Sequence, residues 1–420
     1  MKAKSLEAWL AELEQRHPTA IDLGLDRCGE VASRLHLLVS TATTITVAGA
    51  NGKGSTVAMM EALLCEQGVS CGAFTSPHLI KYNERIRVNG LEVEDSLIVR
   101  AFEAIEAARG EISLTYFEFG ALAALWVFNA LGVEYQLLEV GLGGRLDAVN
   151  IIDADACVIT AIGLDHQEWL GNDVDTIAIE KCGIARAGKP CVVADHAAPK
   201  TVNESLQRIG AKAIRAGEAY HFTQELFSGF EDQTFSWEIP DGMIPLNAAA
   251  AVAALLAVGA RVDSEVFKAA SKRLRPRGRR EHTSVDELSV VMDVAHNPDA
   301  CQELHGFLQR LPKVHNTVAV FAVMSDKDCR DMIAALDGDI DFWCLPHGVG
   351  GERGQSPDEL VGYVRGNGQV FETFNESLEF ALARLAGSGR LLIFGSFFTV
   401  AAGISGLREL TVTKVGAVDG

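Results

Sequence analysis

Apolar and polar positions alternate along the first two-thirds of the chain in a pattern that predicts strands and helices in turn. Short runs rich in β-branched and other apolar residues are typical of buried strands. They occur at 45–48, 71–75, 135–140, 157–162 and 191–194. Longer segments with helical spacing lie between them, such as 96–108 and 117–130. This order predicts an α/β fold with a mainly parallel sheet and helices on both of its faces.

A second α/β region follows the basic stretch 272–280, which contains both proline and glycine. Its predicted strands are 288–294, 318–323, 341–345 and 390–394, and its predicted helices include 299–311 and 377–385. We therefore predict a first domain of residues 1–280, a linker at 281–287 and a smaller, Rossmann-like α/β domain at 288–420. Within the first domain, the aromatic-rich segment 217–244 predicts a short antiparallel β excursion.

A glycine-rich turn lies between the first predicted strand and a helix-forming segment, in the sequence TITVAGANGKGST of residues 44–56. Strand, glycine turn and helix in this order place backbone N–H groups at a helix N-terminus, where phosphate oxygens bind. Lys53 would add a positive charge at the β- and γ-phosphates. The spacing is not that of the ordinary P-loop, because only Ala50 and Asn51 separate the first glycine from Gly52-Lys53. The first domain is therefore predicted to be of the P-loop ATPase type.

Composition narrows the classes of function. The chain has 420 residues, of which 48% are hydrophobic and 22% charged, as in ordinary globular proteins. Its formal net charge of -19 argues against nucleic-acid binding, which needs a basic surface. The nine cysteines are scattered and form no C-x-x-C pair, so neither a disulfide framework nor a zinc site is predicted. The longest apolar run, 248–260, is too short to span a bilayer, and we expect a cytoplasmic protein without a membrane partner.

Polar residues follow several of the predicted strands, at the sheet edge where open α/β folds bind their ligands. Ser76-Pro77-His78 follows the second strand, and Asp165-His166 follows the fourth. Glu139 interrupts an apolar strand, and a buried carboxylate is costly unless it is paired or bound to a metal. Hydroxyl, carboxylate and imidazole groups, together with nucleotide phosphates, suit Mg²⁺.

Seven short motifs occur in an order that resembles the folylpolyglutamate synthase family, which belongs to the ATP-dependent Mur ligase group. They are GANGKGST, TSPHL, YFEF, LEVGLGGRLDAVN, the segment around His166, IAIEKCGI and MDVAHNPDA. The segment 21–27 also resembles the pterin-contacting loop of bifunctional bacterial members, which act as both dihydrofolate synthase and folylpolyglutamate synthase. The resemblance covers essentially the whole chain. It implies a first domain like the central domain of Mur ligases and a C-terminal glutamate-ligase domain.

The resemblance further implies an ATP-dependent ligase that adds L-glutamate to dihydropteroate and to the γ-carboxylate of reduced folates. ATP would phosphorylate the acceptor carboxylate, because its oxygen is a poor leaving group, and the amine of L-glutamate would then attack the acyl phosphate. The products would be ADP and phosphate. The implied cofactor is Mg²⁺, as two ions, with ATP as a co-substrate. The expected partners are small molecules (ATP, L-glutamate, dihydropteroate and reduced folates), and we expect a monomer.

Individual residues take roles by the same resemblance. The residues that would contact ATP are Ala50, Asn51, Gly52, Lys53, Gly54, Ser55, Asn247, Arg279 and Asp293. The residues that would contact the pterin are Asp22, Leu23, Gly24, Leu25, Thr115, Tyr116, Phe117, Glu118, Leu146, Asp147 and Ala148. The metal ligands would be Ser76, Glu139, His166 and Lys181, and the catalytic residues Lys53, His166 and Lys181. Lys181 matches the lysine that is carbamylated in this family, and His296 and Asn297 would lie beside the nucleotide.

Several alternatives stay open. The chain has Pro276-Arg-Gly-Arg-Arg280 where the family has Pro-Gly-Arg and an apolar residue, so either Arg279 or Arg280 could take the nucleotide role. A monofunctional folylpolyglutamate synthase is an alternative to a bifunctional one. A peptidoglycan-type Mur ligase normally carries an extra N-terminal domain, whereas about 43 residues precede the first predicted strand here. A nucleotide-hydrolysing P-loop switch would leave Lys181 unexplained.

Overall fold

The computed structural model describes residues 4–19, 21–274, 277–285 and 287–416. The described chain forms two compact units. The first unit holds the residues up to Pro240 together with Ile244–Leu274, and the second holds Asp241–Met243 and the residues after Leu274. Pro276 of the basic stretch and Asp286 of the predicted linker lie outside the described residues.

The first unit alternates strands and helices around a large sheet. Its helices are α1 Leu6–Arg16, α2 Asp26–Arg34, α3 Lys53–Glu66, α4 Asp95–Arg109, α5 Tyr116–Leu131, α6 Gln167–Leu170, α7 Val174–Cys182, α8 Lys200–Ile209, α9 Pro245–Ala257 and α10 Ser264–Arg273. Its strands are β1 Thr43–Ala48, β2 Cys71–Phe74, β3 Ile86–Val88, β4 Leu91–Glu92, β5 Tyr135–Glu139, β6 Ala156–Ile159, β7 Pro190–Val193, β8 Lys212–Arg215, β9 His221–Phe222, β10 Leu226–Ser228 and β11 Thr234–Ser236. Short 3₁₀ turns lie at Tyr82–Arg85, Ala148–Ile151 and Phe230–Asp232.

Eight of these strands form one sheet in the order β4-β3-β2-β5-β1-β6-β7-β8. From β2 to β8 all pairs are parallel, and β3 and β4 add an antiparallel edge. The strands β9, β10 and β11 form a separate antiparallel sheet inside 217–244, which confirms the predicted excursion. Because parallel strands end at the same edge, the segments that follow β2, β5, β1 and β6 become neighbours.

Two apolar helices of the first unit are almost wholly buried. α5 is buried along residues 118–125, and each fully buried phenylalanine or leucine contributes about 1.5–3 kcal/mol. α9 is alanine-rich, is buried from Asn247 to Leu256, and packs against α3, β6 and β7. Small side chains allow close packing, and they bring Asn247 at the start of α9 against the glycine-rich turn before α3.

The second unit is a smaller α/β domain. Its strands are β12 Glu281–Val285, β13 Glu287–Asp293, β14 Thr317–Phe321, β15 Phe342–Pro346, β16 Asn367–Phe371 and β17 Ser388–Phe394. Its helices are α11 Pro298–Arg310, α12 Cys329–Leu336, α13 Pro357–Leu360, α14 Phe374–Leu385 and α15 Phe397–Gly416, with a 3₁₀ turn at Gly351–Arg353. The sheet has the order β12-β13-β17-β14-β15-β16, and only β12 is antiparallel to its neighbour.

The predicted α/β class and the mainly parallel sheets are confirmed, but the predicted linker is wrong for 281–285. These residues form β12 and pair with β13 from Glu281↔Met292 to Val285↔Leu288. Backbone pairing overrides the polar, loop-like composition of the segment. All nine cysteines are free thiols. Within the described residues, none of the helices has the length and apolar character needed to cross a membrane.

Candidate active site

The glycine-rich turn between β1 and α3 is shaped by close contacts that only glycine allows. Gly52 has φ +92, and a Cβ atom built on it would lie 2.3 Å from Asn247 Oδ1. A Cβ on Gly49 would lie 1.7 Å from Thr160 Oγ1. Thr160 in turn donates from Oγ1 to Asn51 O at 2.7 Å. The turn is therefore held between the residue after β6 and the first turn of α9.

The turn ends at a helix N-terminus with unsatisfied donors. α3 begins at Lys53, and Gly52 caps it without a side chain, so the first N–H groups of the helix have no intrahelical acceptor. Lys53 Nζ donates to Gly49 O at 2.9 Å, which keeps the ammonium beside the turn. The N–H of Ala50 donates to Ala161 O at 2.7 Å, so this amide anchors the turn. The arrangement suits an anion such as a nucleotide phosphate.

A hydrogen bond joins Ser76 to Glu139 beside this turn. Glu139 ends β5 in register with Val47 of β1, and only 2% of its surface is exposed. The backbone N–H of Ser76 donates to Glu139 Oε2 at 3.1 Å. Arg87 lies near Glu139, but its guanidinium pairs with Glu61 at 2.8 Å. Burial lowers the pKa of Arg87, but Glu61 and, to a smaller extent, Glu139 raise it above its ordinary value. Glu139 is thus a buried carboxylate at the sheet edge that carries the phosphate turn.

His166 follows β6 on the opposite side of the turn. Its backbone has φ +53, and its N–H donates to Asp165 Oδ1 at 2.9 Å. Asp165 is buried, whereas 37% of the His166 side chain is exposed, with Nε2 3.7 Å from Asp165 Oδ2. The left-handed backbone turns this imidazole outward at the start of α6. The four polar segments predicted from the sequence therefore lie at the carboxyl ends of β2, β5, β1 and β6, which are adjacent strands of one sheet.

Lys181 is the least expected member of the group because it is a buried lysine. It lies in the last turn of α7 with 3% of its surface exposed. A Cβ on Gly144 would lie 2.7 Å from Glu180 O, so the glycine-rich segment after β5 packs directly on this turn of α7. Burial, and secondarily the nearby Lys53 ammonium, lower the pKa of Lys181 to about 7, while Asp165 opposes the shift. At neutral pH much of this amine is uncharged.

Asp147 has a side chain that is engaged by the backbone around it. Its Oδ2 accepts from the N–H groups of Gly141 and Leu142, both at 2.9 Å, and its Oδ1 accepts from Val149 N–H at 3.0 Å. Burial raises the pKa of Asp147 to about 6, although these hydrogen bonds and Lys53 favour its charged form. The carboxylate therefore shapes the 141–149 segment, whatever Asp147 contributes to a ligand.

Arg27 joins two of the three predicted pterin segments. Arg27 Nη1 pairs with Asp22 Oδ2 at 2.7 Å, and its Nη2 lies 3.1 Å from Glu118 Oε1. Glu118 also closes a capping box at the start of α5, because its Oε2 accepts from Thr115 N–H at 2.7 Å. α2 packs on both α5 and the Ala148–Ile151 turn. Residues 22–25, 115–118 and 146–148 are thus neighbours, as expected for parts of one pocket.

Aromatic side chains connect this region to the Ser76 segment. The Phe117 ring lies against Gly141, where an added Cβ would be 2.6 Å from it. The Tyr116 ring is 5.8 Å from the Tyr82 ring in an edge-on arrangement. His78 accepts a hydrogen bond at Nδ1 from Arg85 Nε at 2.8 Å. Burial and the Arg85 charge lower the pKa of His78 to about 4, so the imidazole is neutral at physiological pH.

In the second unit, the two arginines left open by the sequence have different surroundings. Arg280 is buried, and its Nη2 donates to Gly242 O at 2.8 Å while its backbone N–H donates to Asp293 Oδ2 at 2.7 Å. Arg279 is half-buried, and its guanidinium lies over the Phe397 ring at 5.7 Å. Because the Arg280 side chain is held inside the unit, Arg279 is the better candidate for a nucleotide contact. That role stays a prediction.

Asp293 is the last residue of β13, and His296 and Asn297 follow it. Asp293 Oδ1 accepts from Ala295 N–H at 2.6 Å, and burial raises the pKa of this carboxyl group. His296 Nδ1 is 2.8 Å from Val294 O, and Asn297 Oδ1 caps α11 by accepting from Ala300 N–H at 2.9 Å. These contacts fix the backbone of the segment, and its contact with the nucleotide stays a prediction.

The sequence alone did not single out Thr160 or Arg85, although both contact predicted site residues. Thr160 lies inside the predicted strand 157–162, and only the structure, in which β6 ends at Ile159, places it after the strand. Within the described residues, no group of three or more His, Cys, Asp or Glu side chains could hold a metal ion. The predicted set of Ser76, Glu139, His166 and Lys181 has only two members of those types. Any metal here would therefore depend on ligands from substrate phosphates, water or a modified lysine.

Comparisons with known proteins identify similar sequences and structures. Residues 278–397 match the family model described as Mur ligase, glutamate ligase domain. The dihydrofolate synthase/folylpolyglutamate synthase of Escherichia coli K12 is 40% identical over 403 residues, which are 95% of this chain and 94% of the relative. The solved structure of E. coli FolC in complex with DHPP and ADP matches with a TM-score of 0.92 and 39% identity, covering 97% of this chain and 99% of that one. A Yersinia pestis folylpolyglutamate synthase/dihydrofolate synthase complexed with AMPPNP and Mn ion matches with a TM-score of 0.91 and 36% identity, covering 96% and 98%.

Proposed function

The chain belongs to the dihydrofolate synthase/folylpolyglutamate synthase family of ATP-dependent ligases, and from that premise we propose that it is bifunctional. It adds L-glutamate to dihydropteroate, which gives dihydrofolate, and to the γ-carboxylate of reduced folates, which lengthens their glutamate tail. Each cycle consumes one ATP and releases ADP and phosphate. The observation that carries this proposal is the convergence at one sheet edge of the phosphate turn, a buried carboxylate and a buried lysine.

The chain's residues suit transfer of a phosphoryl group to a carboxylate. The free N–H groups at the start of α3 bind the ATP phosphates, and the Lys53 ammonium stabilises the charge on the transferring group. The acyl phosphate that forms releases phosphate when the amine of L-glutamate attacks its carbonyl carbon. Water must be kept from this intermediate, because hydrolysis would waste ATP.

A divalent metal fits the residues beside the phosphate turn. Glu139 supplies a buried carboxylate and Ser76 a hydroxyl on one side of the turn, and His166 supplies a half-buried imidazole on the other. So few protein ligands suit Mg²⁺, which keeps waters and phosphate oxygens in its shell, and we propose two such ions with Lys181 as a further ligand after modification. The metal would neutralise charge on the phosphates during transfer.

The segment tied down by Arg27 supports dihydropteroate as an acceptor. This segment resembles the pterin-contacting loop of bifunctional bacterial members, and the ion pair between Arg27 and Glu118 holds it against the start of α5. A monofunctional folylpolyglutamate synthase is the second candidate. We further propose that the enzyme acts as a monomer in the cytoplasm, where nine free thiols would remain reduced.

ADP release distinguishes the two candidates. We expect ATP consumption that requires L-glutamate and occurs both with dihydropteroate and with a reduced folate. Omitting either the acceptor or L-glutamate should abolish net product, and mass spectrometry should show one added glutamate per cycle. Turnover on reduced folates alone would reduce the chain to a monofunctional synthase. ATP hydrolysis that requires neither dihydropteroate nor a reduced folate would contradict the ligase assignment.

The metal proposal predicts a specific defect for Glu139→Gln. The neutral amide keeps the size of the side chain but loses the charge that would bind Mg²⁺, so we expect the half-saturating Mg²⁺ concentration to rise about 10- to 100-fold. The measurement is initial rate against Mg²⁺ at fixed ATP. Glu134→Gln is the matched control, because Glu134 is exposed just before β5, at the opposite end of that strand. An unchanged Mg²⁺ dependence in Glu139→Gln would rule out Glu139 as a metal ligand.

A further inference from the structure

Arg85 lies beside the predicted site but belongs to no motif that the sequence analysis used. It is the last residue of the Tyr82–Arg85 turn and directly precedes β3. Its carbonyl oxygen accepts from Thr75 N–H at 2.9 Å, so its backbone is paired with the residue before Ser76. The antiparallel edge of the large sheet thus places Arg85 next to the Ser76 segment.

The Arg85 guanidinium is held by two rings and one hydrogen bond. It lies 5.6 Å from the centroid of the Tyr82 ring and 5.4 Å from that of the Tyr116 ring. Its Nε donates to His78 Nδ1 at 2.8 Å. A planar guanidinium over aromatic rings is orientated more strongly than a lysine ammonium would be. The side chain is therefore fixed between the start of α5 and the segment after β2.

The Nη1 and Nη2 atoms of the Arg85 guanidinium are available to bind a ligand. Within the described part of the chain, neither Nη1 nor Nη2 of Arg85 donates a hydrogen bond or forms an ion pair, and the residue is half-buried. Arg87, two residues later, differs in that its Nη2 pairs with Glu61 and its Nη1 donates to Thr75 Oγ1 at 2.9 Å and to Glu84 O at 2.7 Å. In a chain with a net charge of -19, an arginine with two open donors beside a binding site is suited to an anion.

We propose that Arg85 binds the α-carboxylate of the terminal glutamate in a folate acceptor, and so determines how well the enzyme uses folates relative to dihydropteroate. The inference rests on the proposed function. Tyr116 belongs to the predicted pterin segment, and His78 is two residues from Ser76, the predicted metal ligand. Arg85 contacts both, so it lies between the expected positions of the pterin and of the reacting carboxylate.

The two acceptors differ in the group that Arg85 would recognise. Dihydropteroate has one carboxylate, which reacts with ATP and is consumed. A folate has two carboxylates on its terminal glutamate, of which the γ-carboxylate reacts and the α-carboxylate remains unchanged. The parallel Nη1 and Nη2 donors of an arginine match a carboxylate in two hydrogen bonds. Arg85 would therefore stabilise the folate complex and leave the dihydropteroate complex largely unaffected.

Steady-state kinetics with both acceptors test the proposal. For Arg85→Gln we expect KM for a reduced folate to rise about 10- to 100-fold, whereas KM for dihydropteroate changes less than about threefold. Arg85→Lys keeps the charge but loses the paired donors, so its KM for the folate should lie between that of the wild type and that of Arg85→Gln. Arg100→Gln is the matched control, because Arg100 is exposed and also lies over a ring, that of Trp126, at 5.8 Å.

A modified acceptor gives the same test without depending on a variant that folds. With a folate whose α-carboxylate is replaced by an α-amide, the wild-type enzyme should show the same rise in KM that Arg85→Gln shows with the natural folate. Combining the variant with the amide should cause no further loss. Equal losses on folate and dihydropteroate, or full use of the amide by the wild type, would overturn the role of Arg85. Failure of the wild type to use any folate would overturn both this role and the proposed polyglutamylation.

Discussion

Replacing Lys53 by alanine is expected to lower kcat for ligation by about 10³-fold or more, because charge stabilisation on a transferring phosphoryl group is worth that much. The ammonium lies beside the phosphate turn, 2.9 Å from Gly49 O, at the first position of α3. Loss of this hydrogen bond costs about 0.5–1.5 kcal/mol of folding free energy, a small part of the 5–15 kcal/mol of a typical protein. Alanine is also well tolerated in a helix. The measurement is ADP and product formation at saturating substrates, with thermal unfolding to confirm the fold.

Lys189→Ala is the control for Lys53→Ala. Lys189 directly precedes β7 at the opposite edge of the same sheet and pairs with Asp155 at 2.8 Å, so its loss should leave kcat within about twofold. A Lys53→Ala enzyme with near-normal turnover and an intact fold would contradict the assignment of the turn to ATP. Loss of activity in both variants would instead indicate a general effect of removing positive charge.

The site could be predicted from the sequence wherever it depends on strand order. The phosphate turn follows β1 directly, and Ser76, Glu139 and Asp165 end or follow strands that pair in parallel with β1 or with its neighbour β5. Parallel pairing aligns strand ends whatever the intervening helices do. Local pattern therefore carried enough information to bring these residues together, and the resemblance to known motifs supplied their roles.

The antiparallel edge was missed although the sequence contains a signal for it. Asn89-Gly90 joins β3 to β4, with φ +53 and φ +77, and this dipeptide is a strong indicator of a two-residue hairpin. The two strands are only three and two residues long, so hydrophobic alternation is too short to reveal them. This antiparallel edge places Arg85 beside the Ser76 segment.

The burial of Lys181 could not be predicted from local pattern, because it depends on a long-range contact. Lys181 lies near the C-terminal end of α7. A lysine there is usually exposed, and its positive charge interacts favourably with the helix dipole. In the fold, the segment containing Gly144 packs on that turn, and Arg145 N–H donates to Glu180 O at 2.9 Å. The lysine is thereby enclosed within the unit. Only tertiary packing distinguishes this lysine from a surface one.

That enclosure suits Lys181 for carbamylation. Because burial and Lys53 lower its pKa to about 7, the free amine predominates above that pH and can attack CO₂. The reaction joins the amine nitrogen to the carbon of CO₂ and releases one proton, which leaves an anionic carbamate. As the pH falls below about 7, the protonated amine, which does not attack CO₂, comes to predominate. At equal concentrations of dissolved CO₂, CO₂-depleted enzyme should therefore be reactivated faster at pH 8 than at pH 6, and Lys181→Ala should not respond to CO₂ at either pH.

Lys181→Ala is expected to lower kcat by about 10³-fold, because it removes both the carbamate and the ligand that it would give to the metal. Small carboxylates such as acetate should partly restore this variant by entering the cavity left by the buried side chain, which has only 3% of its surface exposed in the wild type. Lys181→Met fills that cavity and should not be restored, and Lys53→Ala should not respond to acetate. Crystals with metal and nucleotide should show electron density beyond Nζ of Lys181. An unmodified lysine in such crystals, together with normal turnover of Lys181→Ala, would show that the carbamate plays no part in the reaction.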